Sequence, residues 1–205
     1  MKKLFSLLFI SIFITFSFSQ QNEDDINSLS IFSEYAKAKN YDAAYTPWME
    51  LRKRNPKFNS AIYTYGERIL KYKIKNSTAE EKVQFINDLV LLWSEKRENF
   101  SKKAPLGATL AKTAQLQYDN RSILNIPNIE LYNSFDIAYK SDLKTFNNPK
   151  NLYTYFKLTV ELYDSGEKAV EELFTKYDEV SEKIELEIKN FTNKLNQFIP
   201  ENEDQ

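Results

Sequence analysis

The chain has 205 residues, with 28 Lys and Arg against 29 Asp and Glu, and it contains neither cysteine nor histidine. Thiol nucleophiles, disulfides and structural zinc sites are therefore excluded, and so are the commonest metal ligand and the usual base at neutral pH. No polybasic block is present, which argues against nucleic acid and anionic lipid as partners, and three glycines (Gly66, Gly107, Gly166) are too few for the turns of a sheet, so the expected class is all-α.

Lys2 and Lys3 precede an apolar run from Leu4 to Phe18, and Ser17 and Ser19 stand at small-residue spacing before Gln20. That layout reads as a signal peptide over residues 1–19, short for a bilayer span. The expectation is export to the periplasm or cell envelope, or onward secretion. Contact with a membrane is expected only through this leader, if it is retained.

Eight helices follow in order. The first, Asp24 to Ala38, places Ile31, Phe32 and Tyr35 on one face. The second, Tyr41 to Arg54, carries Ala44, Trp48 and Leu51 and stops at Asn55-Pro56. The third spans Asn59 to Lys75 through Ile62, Gly66, Ile69 and Leu70. Ser77 and Glu80 have the spacing of a capping box for a fourth helix reaching Asn99, with Ile86, Leu89, Val90 and Trp93 on its apolar side. A fifth runs from Pro105 to Tyr118. Asp119 to Asn128 reads as a linker between a repeat region (20–118) and a C-terminal part (129–199). The sixth and seventh, Ile129 to Phe146 and Lys150 to Asp164, flank Asn147-Asn148-Pro149, and Ser165-Gly166 supplies a left-handed stop.

The eighth helix, Glu167 to Phe198, differs. Val170, Phe174, Tyr177, Ser181, Ile184, Ile188, Phe191, Leu195 and Phe198 alternate steps of four and three, a continuous heptad seam. Such a seam is expected to pack against a helix, preferably one of the same chain. A second copy of the chain, giving a homodimer, is the alternative. An acidic tail, 200–205, closes the chain.

Short loops predict antiparallel hairpins. In the stretch KNYDAAYTPWMELRKRNP, Tyr41, Ala44, Trp48 and Pro56 fall at the spacing of a repeat's second helix, with Tyr35 in the first. About 34 residues on, Gly66 restarts the pattern as its small residue. The chain thus resembles the tetratricopeptide-repeat family over roughly residues 25–75. In SEYAKAKNYDAAYTPW, IYTYGERILK and LYDSGEKAVEELFTKYDEVSEKIE it also resembles exported bacterial proteins that look like divergent members of that family. The resemblance implies hairpins stacked as an α-solenoid and a role in binding a protein or peptide. It transfers no catalytic residue.

In a stack of this kind the first helix of each hairpin lines a concave face, which would present Ser30, Ser33 and Lys37, then Tyr63, Glu67 and Lys71. Those six are the candidate partner-binding residues. Paired acids such as Glu80-Glu81 and Glu171-Glu172 have no spacing that selects a catalytic couple. The sequence reading is an exported interaction or scaffold module of the cell envelope, not an enzyme, without cofactor or metal. The runner-up is a structural envelope protein that self-associates through its last helix.

Overall fold

A computed structural model describes residues 23–197, and among them every regular element is helical. The expected signal peptide, Phe198 and the acidic tail lie outside the described residues. The helices are α1 (23–37), α2 (Tyr41–Arg54), α3 (Ala61–Asn76), α4 (Ala79–Asn99), α5 (Leu106–Asp119), α6 (Arg121–Leu124), α7 (Asn128–Ser141), α8 (Pro149–Asp164) and α9 (Val170–Asn196). They form two compact units dividing at Lys103/Ala104, and within each unit helices pack against neighbours in the chain. The division precedes the Asp119–Asn128 stretch because α5 packs on α7 and so belongs to the second unit. That stretch itself contains α6, closed by Asn125 at φ 53°, a left-handed position that asparagine tolerates.

In the first unit, Asp25 at the start of α1 is buried and accepts hydrogen bonds from Arg54 and Asn55 at the end of α2, both at 2.8 Å. Tyr41 and Asp42 at the start of α2 meet Tyr72 at the end of α3. Asn99 at the end of α4 donates to the Tyr63 hydroxyl at the start of α3. Each successive pair is therefore antiparallel. Trp48, Leu51, Ile62, Ile69, Leu70 and Leu89 are fully buried between these helices. At about 25 cal/mol per Å² of apolar area, each such side chain contributes about 2–3 kcal/mol.

The crossing of α2 and α3 rests on Gly66. A Cβ there would lie 2.6 Å from three atoms of the Trp48 indole, whose Nε1 donates to the Ile62 carbonyl at 2.8 Å. The glycine that the repeat spacing singled out thus makes room for the tryptophan that the same spacing singled out.

Several helix ends differ from expectation, α9 for instance beginning at Val170 and not at Glu167, and two of the differences have a clear side-chain cause. The α4 capping box is Thr78 with Glu81, one residue beyond the Ser77–Glu80 pair, because Thr78 takes the extended N-cap conformation and the helix begins at Ala79. α7 stops at Ser141 and does not reach Phe146, because the Asp142 carboxylate folds the chain into a turn by accepting from Thr145. The same carboxylate accepts the Gly107 amide at 3.2 Å, and a Cβ on Gly107 would lie 2.2 Å from the Asp142 carbonyl oxygen. Phe146 leaves the helix yet stays buried in the second core with Phe135, Leu152, Tyr155 and Leu158.

Arg52 is buried on α2, lies over the Trp48 ring at 5.3 Å, and donates to Asp88 and Glu95 of α4, both at 2.7 Å. It ties α2 to α4 past α3, and no periodicity argument reveals it.

Two outcomes follow for the first unit. Gly66→Ala should destabilise by about 1–3 kcal/mol, because overpacking against the indole exceeds the helix-propensity gain of about 1 kcal/mol. In a Trp48→Phe background the same change should become neutral or stabilising, a coupling of about 0.5–3 kcal/mol measurable in a urea double-mutant cycle. Arg52→Met should lower the urea midpoint by the equivalent of about 1–3 kcal/mol, since Asp88 and Glu95 lose their cation but keep partial access to water.

Candidate functional site

The six residues expected on a concave face are not presented together. Tyr63 is fully buried, its hydroxyl donating to the Pro56 carbonyl at 3.1 Å and accepting from Asn99 at 2.8 Å. Ser33 is also buried. Glu67 is half-buried and holds two neighbours, accepting from Trp93 Nε1 at 2.9 Å and from Lys71 at 2.7 Å. Ser30, Lys37 and Lys71 are exposed, Lys37 being paired with Glu34 at 2.8 Å. The physical reason is the helix rotation: α3 turns Tyr63 inward onto Phe100 at the end of α4. Among the repeat-defining residues, Ala44, Trp48 and Gly66 are buried as expected, and the Tyr41 ring packs at a tilt of 42° against Tyr72. Tyr35 is 41% exposed, because Phe32 and Ala36 carry the buried face of α1.

The most exposed apolar surface lies in the second unit, on α9. The buried residues of that helix are Lys176, Val180 and Lys183, and the heptad seam faces outward. Phe174 is 64% and Phe191 76% exposed, and Val170, Tyr177, Ile184, Ile188 and Leu195 are exposed with them. The seam touches the chain's own helices, with Tyr177 against Phe156 of α8, but it is not buried there as expected: its described apolar side chains stay at least 39% exposed. α9 is held by its adjacent face, through polar groups and the buried Val180.

Lys176 is the main anchor. Its ammonium group lies 4.4 Å from the Tyr155 ring centroid and 5.5 Å from that of Tyr139. It donates to the Tyr155 hydroxyl and to Glu179, both at 2.5 Å, and Tyr155 in turn donates to Asp136 at 2.5 Å. Aromatic faces, a phenol and two carboxylates together compensate for burying a cation, which none would do alone. Tyr139 adds a hydrogen bond to the Glu179 carbonyl at 3.0 Å, and Lys183 pairs with Glu187 at 2.5 Å. Lys176, Val180, Lys183 and Glu187 recur at helical spacing, so the signal was in the sequence, masked by the assumption that lysines face water.

Burial resists ionisation of the Asp136 carboxyl, but hydrogen bonds from Lys140 and Tyr155 and the charges of Lys140 and Lys176 outweigh it and hold the group below the usual carboxylate range. Burial first, and then the bond to Asp136, push the Tyr155 phenol far above its ordinary value, so it stays a neutral donor.

α8 and α9 run antiparallel: Tyr155 meets Lys176, whereas Pro149 and Leu152, earlier in α8, lie by Ile188 and Phe191, later in α9, and Phe156 packs on Tyr177. At about 1.5 Å per residue α9 is about 40 Å long and α8 about 24 Å, so the C-terminal part of α9 extends past the start of α8. Pro149 and Leu152 there form a groove of ≈ 360 Å³ with Ile184, Ile188 and Phe191. The exposed seam and this groove are one continuous apolar surface.

No protein-family model, no curated protein and no solved structure matches the chain.

The Asp136 linkage has a definite sign. A carboxyl held below its unfolded value contributes stability that is present above that value and is lost as pH falls through the folded one. Wild-type stability should therefore decline as pH falls below the ordinary carboxylate value of about 4, and Asp136→Asn should be less stable at pH 7 yet flatter across that acid range. Urea midpoints across the range, taken as differences between the two proteins, check it.

Proposed function

We propose that this protein is a non-catalytic interaction module that docks a protein partner on the exposed stripe of α9 and the adjoining α8 groove. The observation that carries the reading is the outward heptad seam: seven large apolar side chains, Val170, Phe174, Tyr177, Ile184, Ile188, Phe191 and Leu195, exposed on one helix. Contiguous apolar surface of this kind marks interaction sites, and the four-three spacing is that of a helix-packing seam. The interior carboxylates support a non-enzymatic role, since Asp88, Glu95 and Asp136 are each engaged by Arg or Lys in links between helices.

The wider context proposed is that of an exported module of the cell envelope with tetratricopeptide-like stacked hairpins. The leader-like residues 1–19, the antiparallel succession of α1 to α4 and the Gly66–Trp48 crossing support it. The second reading is self-association through the same seam, which its continuity also favours.

A photo-crosslinking side chain at position 191 in cells should capture a protein adduct that is lost on Ile188→Glu. The same probe at Lys140, exposed on α7, should capture none. Ile188→Glu itself should change stability by less than about 1 kcal/mol, because the side chain is already exposed. An adduct of twice the chain mass would favour self-association, and equal adducts at both positions would remove α9 as the docking surface.

A further inference from the structure

The charges bordering the α9 stripe are sorted by side. Towards α7 and α8, acids pair with lysines: Glu172 with Lys168 at 2.6 Å, Glu179 with Lys176 and Glu187 with Lys183, both at 2.5 Å. On the edge away from α8, Glu171, Asp178 and Glu185 recur at heptad spacing, are exposed, and make no ion pair among the described residues, Glu185 also bordering a pocket with Tyr139 of α7 and Leu143. Each directly follows a seam residue (Val170, Tyr177 and Ile184), which puts the three in a row alongside the stripe. The other edge of the stripe is closed by Val180, buried with Leu152 and Leu158 of α8, and by the half-buried Leu173. A docking helix therefore meets one wall of aromatic and aliphatic groups and one wall of unpaired carboxylates.

We propose that the α9 stripe takes an amphipathic helix whose apolar face is bordered, on the side meeting Glu171, Asp178 and Glu185, by Lys or Arg. This deepens the docking reading and depends on it. Flanking charges select partner and orientation in helix pairs, and an acidic row selects a basic one. A second copy fits the stripe poorly. Antiparallel pairing of two α9 helices sets acidic row against acidic row, with Asp178 facing Glu185. Parallel pairing directs the row towards the edge already occupied by α8. The same carboxylates repel an anionic bilayer surface.

The test uses the full chain and two labelled synthetic helices of about four heptads with identical Leu seams, one flanked by Lys and the other by Glu. Fluorescence anisotropy should show the Lys-flanked helix binding at least about tenfold more tightly, with the advantage shrinking between about 50 mM and 500 mM salt. Asp178→Lys with Glu185→Lys should reverse the preference, and Phe191→Ser should weaken both helices, with circular dichroism confirming that each variant remains folded. Equal affinity for the two helices would overturn the basic-partner proposal while leaving α9 as a docking surface. No binding of either, together with a doubled mass in light scattering that Phe191→Ser abolishes, would make a second copy the occupant. No binding and no doubled mass would overturn the docking reading itself.

Discussion

The rotation of α9 about its own axis is fixed by one buried ammonium group. Lys176 sits among tyrosine rings and shares two carboxylates and a phenol, and each of these contacts is directional. An apolar seam would accept a range of rotations at similar energy, because dispersion and hydrophobic burial have little angular preference. A cation held by Tyr155, Asp136 and Glu179 does not. Turning the helix to bury Phe174 and Ile188 would pull Lys176 out of its box and leave Asp136 without one of its cations. Polar specificity thus overrides apolar pattern here, and the larger hydrophobic face is the one left in water.

The first unit uses the opposite arrangement. Its geometry depends on close approach, with Gly66 admitting the Trp48 indole and that indole bonded to the Ile62 carbonyl. Buried charge enters at the periphery, where Arg52 spans from α2 to α4 and Asp25 joins α1 to the end of α2. Both arrangements make each helix dependent on a neighbour for satisfied polar groups, as expected of hairpins that cannot bury their faces alone.

The helices themselves were legible because the signals are local. Prolines and asparagines at the ends of α2 and α8, Gly166 at φ 79° and the Trp48–Gly66 spacing all act within a few residues or one hairpin. Errors of a single turn arose where side chains compete for backbone, as Thr78 does with Ser77 and as Asp142 does in ending α7. The orientation of α9 was not legible. Period alone makes Phe174, Ile184 and Phe191 look like a core, and only the tertiary meeting of α7, α8 and α9 shows that Lys176 and Lys183 have claimed the inner side. Tyr63 was misplaced for the related reason that helix phase cannot be read to within one residue from an apolar pattern mixed with tyrosines.

The acidic row beside the α9 stripe has a colloidal consequence. A long apolar helix face left open is a route to nonspecific association, and what opposes it is mutual repulsion between carboxylates that pair with no cation among the described residues. The row of Glu171, Asp178 and Glu185 thereby bears on how the free molecules meet one another, as well as on what docks there. The same three side chains proposed to choose a partner would also hold the free molecules apart.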